Sequence, residues 1–435
     1  MNPDGAGLVT DSIVGEVRPG TIFGETTERK RLSIWDAQRG NVSTKSDGTV
    51  QQENWSSLWV CVGDHIESPD DPIFTEAVLA LDDLYYLTSD NRIYQIQWAR
   101  FEGIEEPGKE QDNGTLLTPY VLPIVGGYRA EIEQGQTAKA QFSVDTFATR
   151  PMISAASEAM PELKLEPLLR RKRRGLTLDV RIYALMTVGP NDDTPASAAE
   201  LVELMGPVLD LMRLAFYRPT GLEEISLRRE NSENVYLLSR IGDQANPDDI
   251  HDFRSVVFSF DDVSLEAYLE TWERLTPTYQ AQYAWNVMIG LCGYSPNYVE
   301  EYVGQALAAA EGVEQWCFQG ATGTKLEKRL ENLHDRLPEK VQEKLKLDIG
   351  TWTKSAVWAR HHVAHGGTKR ERMISDTSEL LAVAQSVHLV TYLGILEELS
   401  VPVEKVVDAL LNHPRLAAMA RQYEVVNRIR GDRAL

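Results

Sequence analysis

Cysteine is scarce in this chain: only Cys61, Cys292 and Cys317 occur among 435 residues. No two of them form a C-x-x-C pair, and three thiols cannot build a disulfide framework. The disulfide-rich secreted class is therefore excluded, and a reducing compartment, the cytoplasm, is the expected location.

Long hydrophobic runs are also missing. No window reaches about 18 consecutive apolar residues, the minimum for a membrane-spanning helix, so no membrane association is expected. The N-terminal run MNPDGAGLVTDSIVGEV has neither a basic stretch nor an apolar core. The sequence therefore predicts no signal peptide.

Two further features are in short supply: glycine-rich phosphate loops and positive charge. The chain has no G-x-G-x-x-G or G-x-x-x-x-G-K pattern, so we expect no nucleotide-binding loop and no cofactor. Lys and Arg number 44 against 65 Asp and Glu, which gives a net charge of −21 and a pI near 4.9. Such an acidic chain binds nucleic acid only through a local basic patch.

The first part of the chain has the pattern of successive β-strands. Strand-like runs follow one another without helices between them, which favours an antiparallel sandwich or barrel. Residues 151–169 are interpreted as a loop with a short helix. Residues 197–217 have helical spacing, with Pro207 as a kink or boundary. The predicted strands are Ser12–Val17, Arg31–Trp35, Leu58–Val62, Ile73–Leu81, Arg92–Phe101, Lys139–Val144 and Leu176–Val188.

From residue 263 onward the spacing becomes helical, with short breaks between segments. The sequence thus predicts an α+β protein with a β-rich sensing or regulatory domain at 1–262 and a helical bundle at 263–435. The predicted helices lie near 264–274, 278–292, 297–317, 324–346, 351–365, 373–399 and 402–421.

Charge is distributed unevenly between these two parts. Residues 263–435 carry 19 basic and 22 acidic side chains, a net charge of −3, whereas residues 1–262 carry 25 and 43, a net charge of −18. Residues 325–375 hold 12 basic against 7 acidic side chains. This basic island is either an anion site or the solvated face of helices with i,i+4 ion pairs. Residues 170–174, five consecutive cations, either pair with acidic neighbours or bind a phosphate or trigger.

The segment TWTKSAVWARHHVAHGG at residues 351–367 carries the most chemical information. Arg360 and His365 are five positions apart, which on an α-helix is a rotation of about 500°, or about 140° between the two side chains. The two converge only if the helix loosens between them or if a second copy of the site faces the first. Gly366 and Gly367 directly follow His365 and make such loosening plausible.

An arginine and a histidine are the parts that a metal-independent ribonuclease needs. A general base removes the proton of a ribose 2′-hydroxyl, and a general acid protonates the departing 5′-oxygen. A planar guanidinium stabilises the charge that builds on the phosphoryl oxygens. Arg360 and His365 are therefore the candidate catalytic residues, and no metal is required.

At this point the chain resembles a known family. The run RHHVAH at 360–365 is similar to the R-x(4–6)-H signature of HEPN ribonucleases, in which the residue after the arginine is polar, here His361. Further stretches resemble the ApeA-type antiphage proteins: 298–318, 326–333 and the W-x(7)-R-x(4)-H spacing from Trp352, with 62–87 and 211–228 in the N-terminal part.

The resemblance implies an all-helical HEPN domain that forms a homodimer and joins two Arg/His pairs in one cleft. It also implies cleavage of an RNA substrate that shuts down an infected cell. The acidic region 1–262 is then the candidate for holding the enzyme inactive until a phage-derived trigger binds there.

Several residues are candidate helpers of this site. His361 is expected to order the cleft or contact phosphate, and Glu311 either positions Arg360 through an ion pair or is an ordinary exposed charge. Trp352 and Trp358 either stack bases or pack in the core. Four cations either guide the RNA backbone or solubilise the surface: Lys354, Lys369, Arg370 and Arg372.

Two other functions stay open. The bundle is a non-catalytic module for RNA binding or dimerisation, or it is a metal-dependent hydrolase. His361 and His365 have the i,i+4 spacing of two ligands on one helix face, and His362 lies between them. No Glu occupies the H-E-x-x-H position, and Arg360 adds a repelling charge, so we expect no metal at the site.

Overall fold

The computed structural model divides the chain into two compact units. The sheet unit is drawn from residues 1–85, 91–206 and 220–251, and the helical unit from 86–90, 207–219 and 252–435. The structure describes residues 21–26, 28–44, 50–57, 59–81, 84, 87, 120–124, 127–133, 153–155, 162–174, 177–190, 194–219, 221–230, 234–239, 243–244, 256–293, 297–365, 374 and 376–429.

The sheet unit is built on one large, almost entirely antiparallel sheet. Its strand order is β1-β2-β5-β13-β12-β6-β11-β10-β9, and β8 joins β11 to β7, while β3 and β4 form a separate pair. The strands are β1 (Thr21–Glu25), β2 (Arg31–Trp35), β3 (Gln38–Thr44), β4 (Val50–Ser56), β5 (Trp59–Gly63), β6 (Glu76–Leu81), β7 (Tyr120–Ile124), β8 (Gly127–Glu133), β9 (Ile153–Ala155), β10 (Glu162–Arg174), β11 (Thr177–Gly189), β12 (Gly221–Arg228), β13 (Val235–Ser239) and β14 (Asp243–Gln244).

Strand β11 is the branch point of this sheet. Its first half pairs with β8, its second half pairs with β6, and β10 follows its other edge over the whole length. The sequence TLDVRIYALMTVG alternates apolar and polar residues over most of that length, as expected for a strand whose two faces differ. The strand-rich antiparallel prediction is confirmed.

One sequence interpretation is wrong here. Residues 151–169 were expected to form a loop with a short helix, but they contribute β9 and most of β10. Pro167 favours a loop because it has no N–H, yet it lies beyond Leu165, the last residue paired with β9. Pairing with β11 decides the conformation, which a local pattern cannot reveal.

Four predicted strands correspond to β2, β5, β6 and β11, within three residues at each end. The five cations at 170–174 form the last part of β10 and lie directly before β11. The three remaining predicted strands lie outside the described residues: Ser12–Val17, Arg92–Phe101 and Lys139–Val144.

The helices follow the predicted order. Three predicted segments divide in the structure, each beside a proline: 197–217 at Pro207, 324–346 at Pro338 and 402–421 at Pro414. The helices are α1 (Ala198–Glu203), α2 (Gly206–Phe216), α3 (Leu265–Leu275), α4 (Tyr279–Leu291), α5 (Val299–Gly312), α6 (Leu326–Asp335), α7 (Glu339–Leu345), α8 (Ile349–His365), α9 (Thr377–Glu398), α10 (Val403–Asn412), α11 (Pro414–Arg421) and α12 (Tyr423–Val426).

Helix α9 is the central helix of the helical unit. Its residues are buried on every side from Leu380 to Leu396 apart from Leu381 and Gln385, and Asp376 caps its first turn through the amides of Ser378 and Glu379. Among the described residues it is also the one helix long and apolar enough to cross a membrane. However, 83% of that apolar window is buried inside the protein, as expected for a core helix.

Helix α2 precedes residue 263 but packs in the helical unit. Directly after it, the hydroxyl of Tyr217 lies 3.1 Å from Nδ1 of His388 on α9, and the hydroxyl of Tyr302 on α5 lies 2.9 Å from the same atom. Burial lowers the pKa of His388 to about 3, so this histidine is neutral. The helical unit is therefore not continuous in sequence, and the functional boundary between 262 and 263 stays a prediction.

Asp210 on α2 gives this packing a pH dependence. Trp285 Nε1 donates to its carboxylate at 2.8 Å, and burial raises the pKa of Asp210 from 3.8 to about 6. Between pH 3.8 and about 6, Asp210 therefore keeps a proton in the folded state that it has released in the unfolded state. The stability that this proton contributes is lost as the pH rises through about 6. Between pH 7 and pH 5 we expect wild type to gain about 1 kcal/mol relative to Asp210→Asn, which keeps an acceptor for Trp285. Urea unfolding followed by tryptophan fluorescence measures this difference, and parallel pH profiles of the two proteins would contradict it.

Candidate active site

Helix α8 carries the candidate catalytic residues and is fixed at both its start and its buried face. Asp348 accepts a hydrogen bond from the Thr351 hydroxyl at 2.9 Å, and the bonds to Thr351 lower the pKa of its carboxyl. One turn later, Trp352 Nε1 donates to Ser386 Oγ on α9 at 2.9 Å. Small buried residues such as Ala356 and Ala359 let the helix pack closely in the unit.

Arg360 lies on the outer part of α8 and is held by one carboxylate. Its Nη1 donates to Glu311 Oε1 at 2.8 Å, with 49% of the Arg360 side chain and 28% of the Glu311 side chain exposed. The sequence left open whether Glu311 forms an ion pair with Arg360, and the structure contains this ion pair. A guanidinium has five N–H donors, so a single bond to Glu311 orients it and leaves further donors for a phosphate.

Glu311 sits one residue before the end of α5, where the helix widens into a π-helical turn at Val313–Cys317. Inside this turn, the buried carboxylate of Glu314 forms an ion pair with Arg329 of α6. Asn332 Nδ2 donates to the other oxygen of Glu314 at 2.8 Å, and Arg329 also donates to Gln315 Oε1. Local π-turns often occur at functional sites, and this one is tied to α6 directly beside Glu311.

Gly320 completes the same network. Its amide donates to the backbone oxygen of Glu314 at 2.9 Å, and a Cβ at this position would collide with the Glu314 carboxylate. Sequence reasoning overlooked both Glu314 and Arg329, because an i,i+4 pattern of charges in α6 is typical of a solvated face. The available signal was one acidic residue, Glu314, directly after the apolar residue Val313 and close to Cys317, both of which are buried in the structure.

Helix α8 remains regular from Ile349 through His365. Of the two alternatives that the spacing left open, the structure thus gives no loosening between Arg360 and His365, and the two positions stay about 140° apart around the helix axis. Only the backbone position of His365 is described, at the last residue of the helix. Within one chain, the arginine and the histidine occupy different faces of α8.

The other predicted residues fall into two groups. Lys354 is exposed, and His361 is partly buried seven positions later on the same stripe of α8. Nδ1 of His362 is buried and has no hydrogen-bond partner among the described residues. Lys369, Arg370 and Arg372 lie outside the described residues, as does the side chain of His365.

No group of three potential metal ligands comes together among the residues that the structure describes. Trp352 is fully buried and belongs to the core, so base stacking by this residue is excluded. In the basic island, Arg329 is buried, while Arg336 pairs with Glu398 at 2.7 Å and Lys340 with Glu404 at 3.0 Å. Much of the island's charge is thus offset by carboxylates.

The part of the chain that contains this site matches a known protein-family model. Residues 286–405 match the family described as Apea-like HEPN. This region of the chain is similar to the Apea-like HEPN family. It begins within α4 and ends within α10, and therefore contains Glu311, the Glu314–Arg329 pair and the whole of α8.

The match covers less than a third of the chain and none of the sheet unit. Comparisons with curated proteins and with solved structures gave no match. The HEPN domain is consistent with an antiphage, ribonuclease-type function and with an ApeA-type protein. The resemblance that rested on the RHHVAH run and the helices beside it is confirmed at the level of the domain.

Proposed function

We propose that this protein is a metal-independent endoribonuclease of antiphage defence. The observation that supports it is the half-exposed Arg360, oriented by Glu311 on a regular helix that ends at His365. This arrangement lies inside the region that matches the HEPN family. Arg360 and His365 are the catalytic residues of the proposal, and Glu311 is a positioning residue.

The proposed reaction needs no group from outside the protein. A histidine takes the proton of the ribose 2′-hydroxyl, and the 2′-oxygen attacks the adjacent phosphorus. The bond from phosphorus to the 5′-oxygen breaks, and that oxygen receives the proton that the histidine has taken up. Arg360 stabilises the charge on the phosphoryl oxygens, and the products carry a 2′,3′-cyclic phosphate and a 5′-hydroxyl.

The regular geometry of α8 favours a site made from two chains. Because Arg360 and His365 diverge by about 140° around one helix, one chain does not direct both toward a single phosphate. A two-fold symmetric dimer that juxtaposes two copies of α8 brings the arginine of one copy toward the histidine of the other. We therefore propose a homodimer through the helical unit, with Lys354, His361, Lys369, Arg370 and Arg372 along the RNA path.

The test is cleavage of total cellular RNA by the purified full chain in EDTA, with and without lysate of phage-infected cells. We expect wild type to leave 2′,3′-cyclic phosphate ends under at least one of these conditions. The lysate supplies a trigger if the acidic N-terminal part keeps the enzyme inactive. Mapping of the product ends distinguishes this chemistry from hydrolysis.

Two results would contradict the proposal. Cleavage that EDTA abolishes and Mn²⁺ or Zn²⁺ restores would indicate a metal-dependent hydrolase built on the histidines. RNA binding without turnover under both conditions would indicate a non-catalytic module.

A further inference from the structure

Trp316 is an exposed aromatic residue in the π-helical turn that follows α5. It is 41% exposed, whereas Trp35, Trp285 and Trp352 are at most 1% exposed. A single exposed aromatic side chain is common on protein surfaces, so its role depends on what surrounds it.

The indole lies on the same side of the helix as the residue that orients the proposed catalytic arginine. The residues of this stretch that are not buried come in two pairs spaced four apart, 311–312 and 315–316. Positions with this spacing line one side of a helix. Trp316 is five residues after Glu311, which is about 7 Å along the helix axis. Because Glu311 binds Arg360, the indole and the guanidinium border the same strip of surface.

The residues on both sides of Trp316 are held in place. Gln315 Oε1 accepts a hydrogen bond from Nη2 of the buried Arg329 at 2.8 Å. The thiol of Cys317 donates to the backbone oxygen of Ala281 on α4 at 3.5 Å. The backbone therefore fixes the position of the indole, and a ligand that contacts it has little ordering entropy to overcome at this point.

Positive charge is held beside the same turn. Arg329 also donates to the backbone oxygens of Ala321 at 3.3 Å and Thr324 at 3.2 Å. These bonds fasten the loop before α6 to the turn, so the exposed Lys325, which directly follows Thr324, lies near Trp316. The indole is thus accompanied by two cations, Lys325 and the proposed catalytic arginine.

We propose that Trp316 stacks on a base of a single-stranded RNA substrate, next to the phosphate that Arg360 contacts. This inference rests on the proposed ribonuclease function and adds a substrate contact to that site. Proteins that bind single strands combine cations along the backbone with aromatic side chains that stack on the bases. Unpaired bases are accessible to such side chains, so this contact selects single strands, loops and bulges.

Continuity with the proposed cleavage site favours RNA over a protein partner. The separation of about 7 Å along the helix is comparable to the spacing of neighbouring phosphates in an extended strand. A base next to the phosphate at Arg360 therefore reaches the indole of Trp316. A protein partner on the indole would cover the strip of surface that the substrate must reach.

The test is fluorescence-anisotropy titration of the full-length protein with a labelled single-stranded RNA whose 2′-hydroxyls are methylated, so that the strand resists attack by the 2′-oxygen. Trp316→Leu, which keeps an apolar side chain but has no π-surface, should weaken binding by about 5- to 150-fold. Trp316→Phe should keep most of the affinity. A strand of the same length without bases should bind wild type and Trp316→Leu equally.

Tyr283→Leu is the matched control and should leave the affinity unchanged. Tyr283 is 64% exposed on the outer face of α4, whereas Ala281 and Ala284 of the same helix face the π-helical turn and α5. If melting temperatures show that Trp316→Leu is misfolded, Trp316→Met takes its place.

Three results would overturn the inference: equal RNA affinity of wild type and Trp316→Leu, an equal loss with the strand that has no bases, or no RNA binding by wild type. Unchanged affinity with a changed sedimentation coefficient would assign the indole to a protein interface instead. Because the strand resists cleavage, binding is measured separately from catalysis. Stacking without cleavage of unmodified RNA would contradict the ribonuclease proposal and leave the stacking contact intact.

Discussion

Arg360→Ala and His365→Ala should each lower RNA cleavage by about 10² to 10⁴-fold, because one removes the cation at the phosphoryl oxygens and the other the proton-transfer group. The Arg360 side chain is half-exposed, so the melting temperature of Arg360→Ala should stay near that of wild type, and the melting temperature of His365→Ala is measured beside it. A dimer with one Arg360→Ala chain and one His365→Ala chain, purified through two different tags, should recover about half of the wild-type rate, since one complete site remains of two.

The matched control is a dimer of one wild-type chain and one chain with both substitutions. It contains the same residues in total, but each site that combines two chains lacks one catalytic group, so this dimer should be inactive. If each site instead lay within one chain, the outcomes would be reversed: the doubly substituted pairing would keep half of the activity and the mixed single variants would have none. The comparison therefore tests the inter-chain geometry separately from the roles of Arg360 and His365.

Glu314→Ala should destabilise the helical unit by about 3–5 kcal/mol, because it leaves the guanidinium of Arg329 buried without its carboxylate. The side chains of Glu314 and Arg329 are 3% and 4% exposed, so water cannot replace the lost partner. The combined change Glu314→Leu with Arg329→Met removes both charges and should cost less than Glu314→Leu or Arg329→Met alone. Urea unfolding of wild type, these two single variants and the double variant completes the double-mutant cycle.

An exposed pair on the same helix is the control for this cycle. Lys328 and Glu331 of α6 lie 3.1 Å apart, but both side chains are largely in solvent. Lys328→Ala should change stability by less than about 1 kcal/mol. If Glu314→Ala cost no more than Lys328→Ala, the pair would not stabilise the π-helical turn beside Glu311.

The sequence was informative wherever a local pattern has a local cause. Apolar spacing predicted most helices of the second part, because an amphipathic helix must bury one face. Alternation predicted β2 and β11, and the RHHVAH run indicated the HEPN domain. It was misleading at residues 162–169, where pairing along β11 makes the segment a strand.

For the candidate site, the sequence supplied the residues but not their arrangement. Spacing alone left it open whether α8 loosens before His365, and the regular helix decided against that alternative. The ion pair between Glu311 and Arg360 joins residues 49 positions apart, and no periodicity encodes such a contact. The burial of Arg329 could not be predicted from the sequence for the same reason, because its partner Glu314 lies in the π-helical turn after α5.

The sequence by itself determined the class of the protein: an acidic α+β chain with a strand-rich first part, a helical second part and an arginine and a histidine in an HEPN-type motif. The charge and the fold class follow from composition and from periodicity within one segment, and the motif follows from the resemblance of one short run to the HEPN family. Only the tertiary structure decided that α2 packs in the helical unit, that Glu311 orients Arg360 and that Glu314 and Arg329 form a buried ion pair. Each of these depends on which distant segments pack or pair together, and that choice is made by the burial and hydrogen bonding of the whole chain.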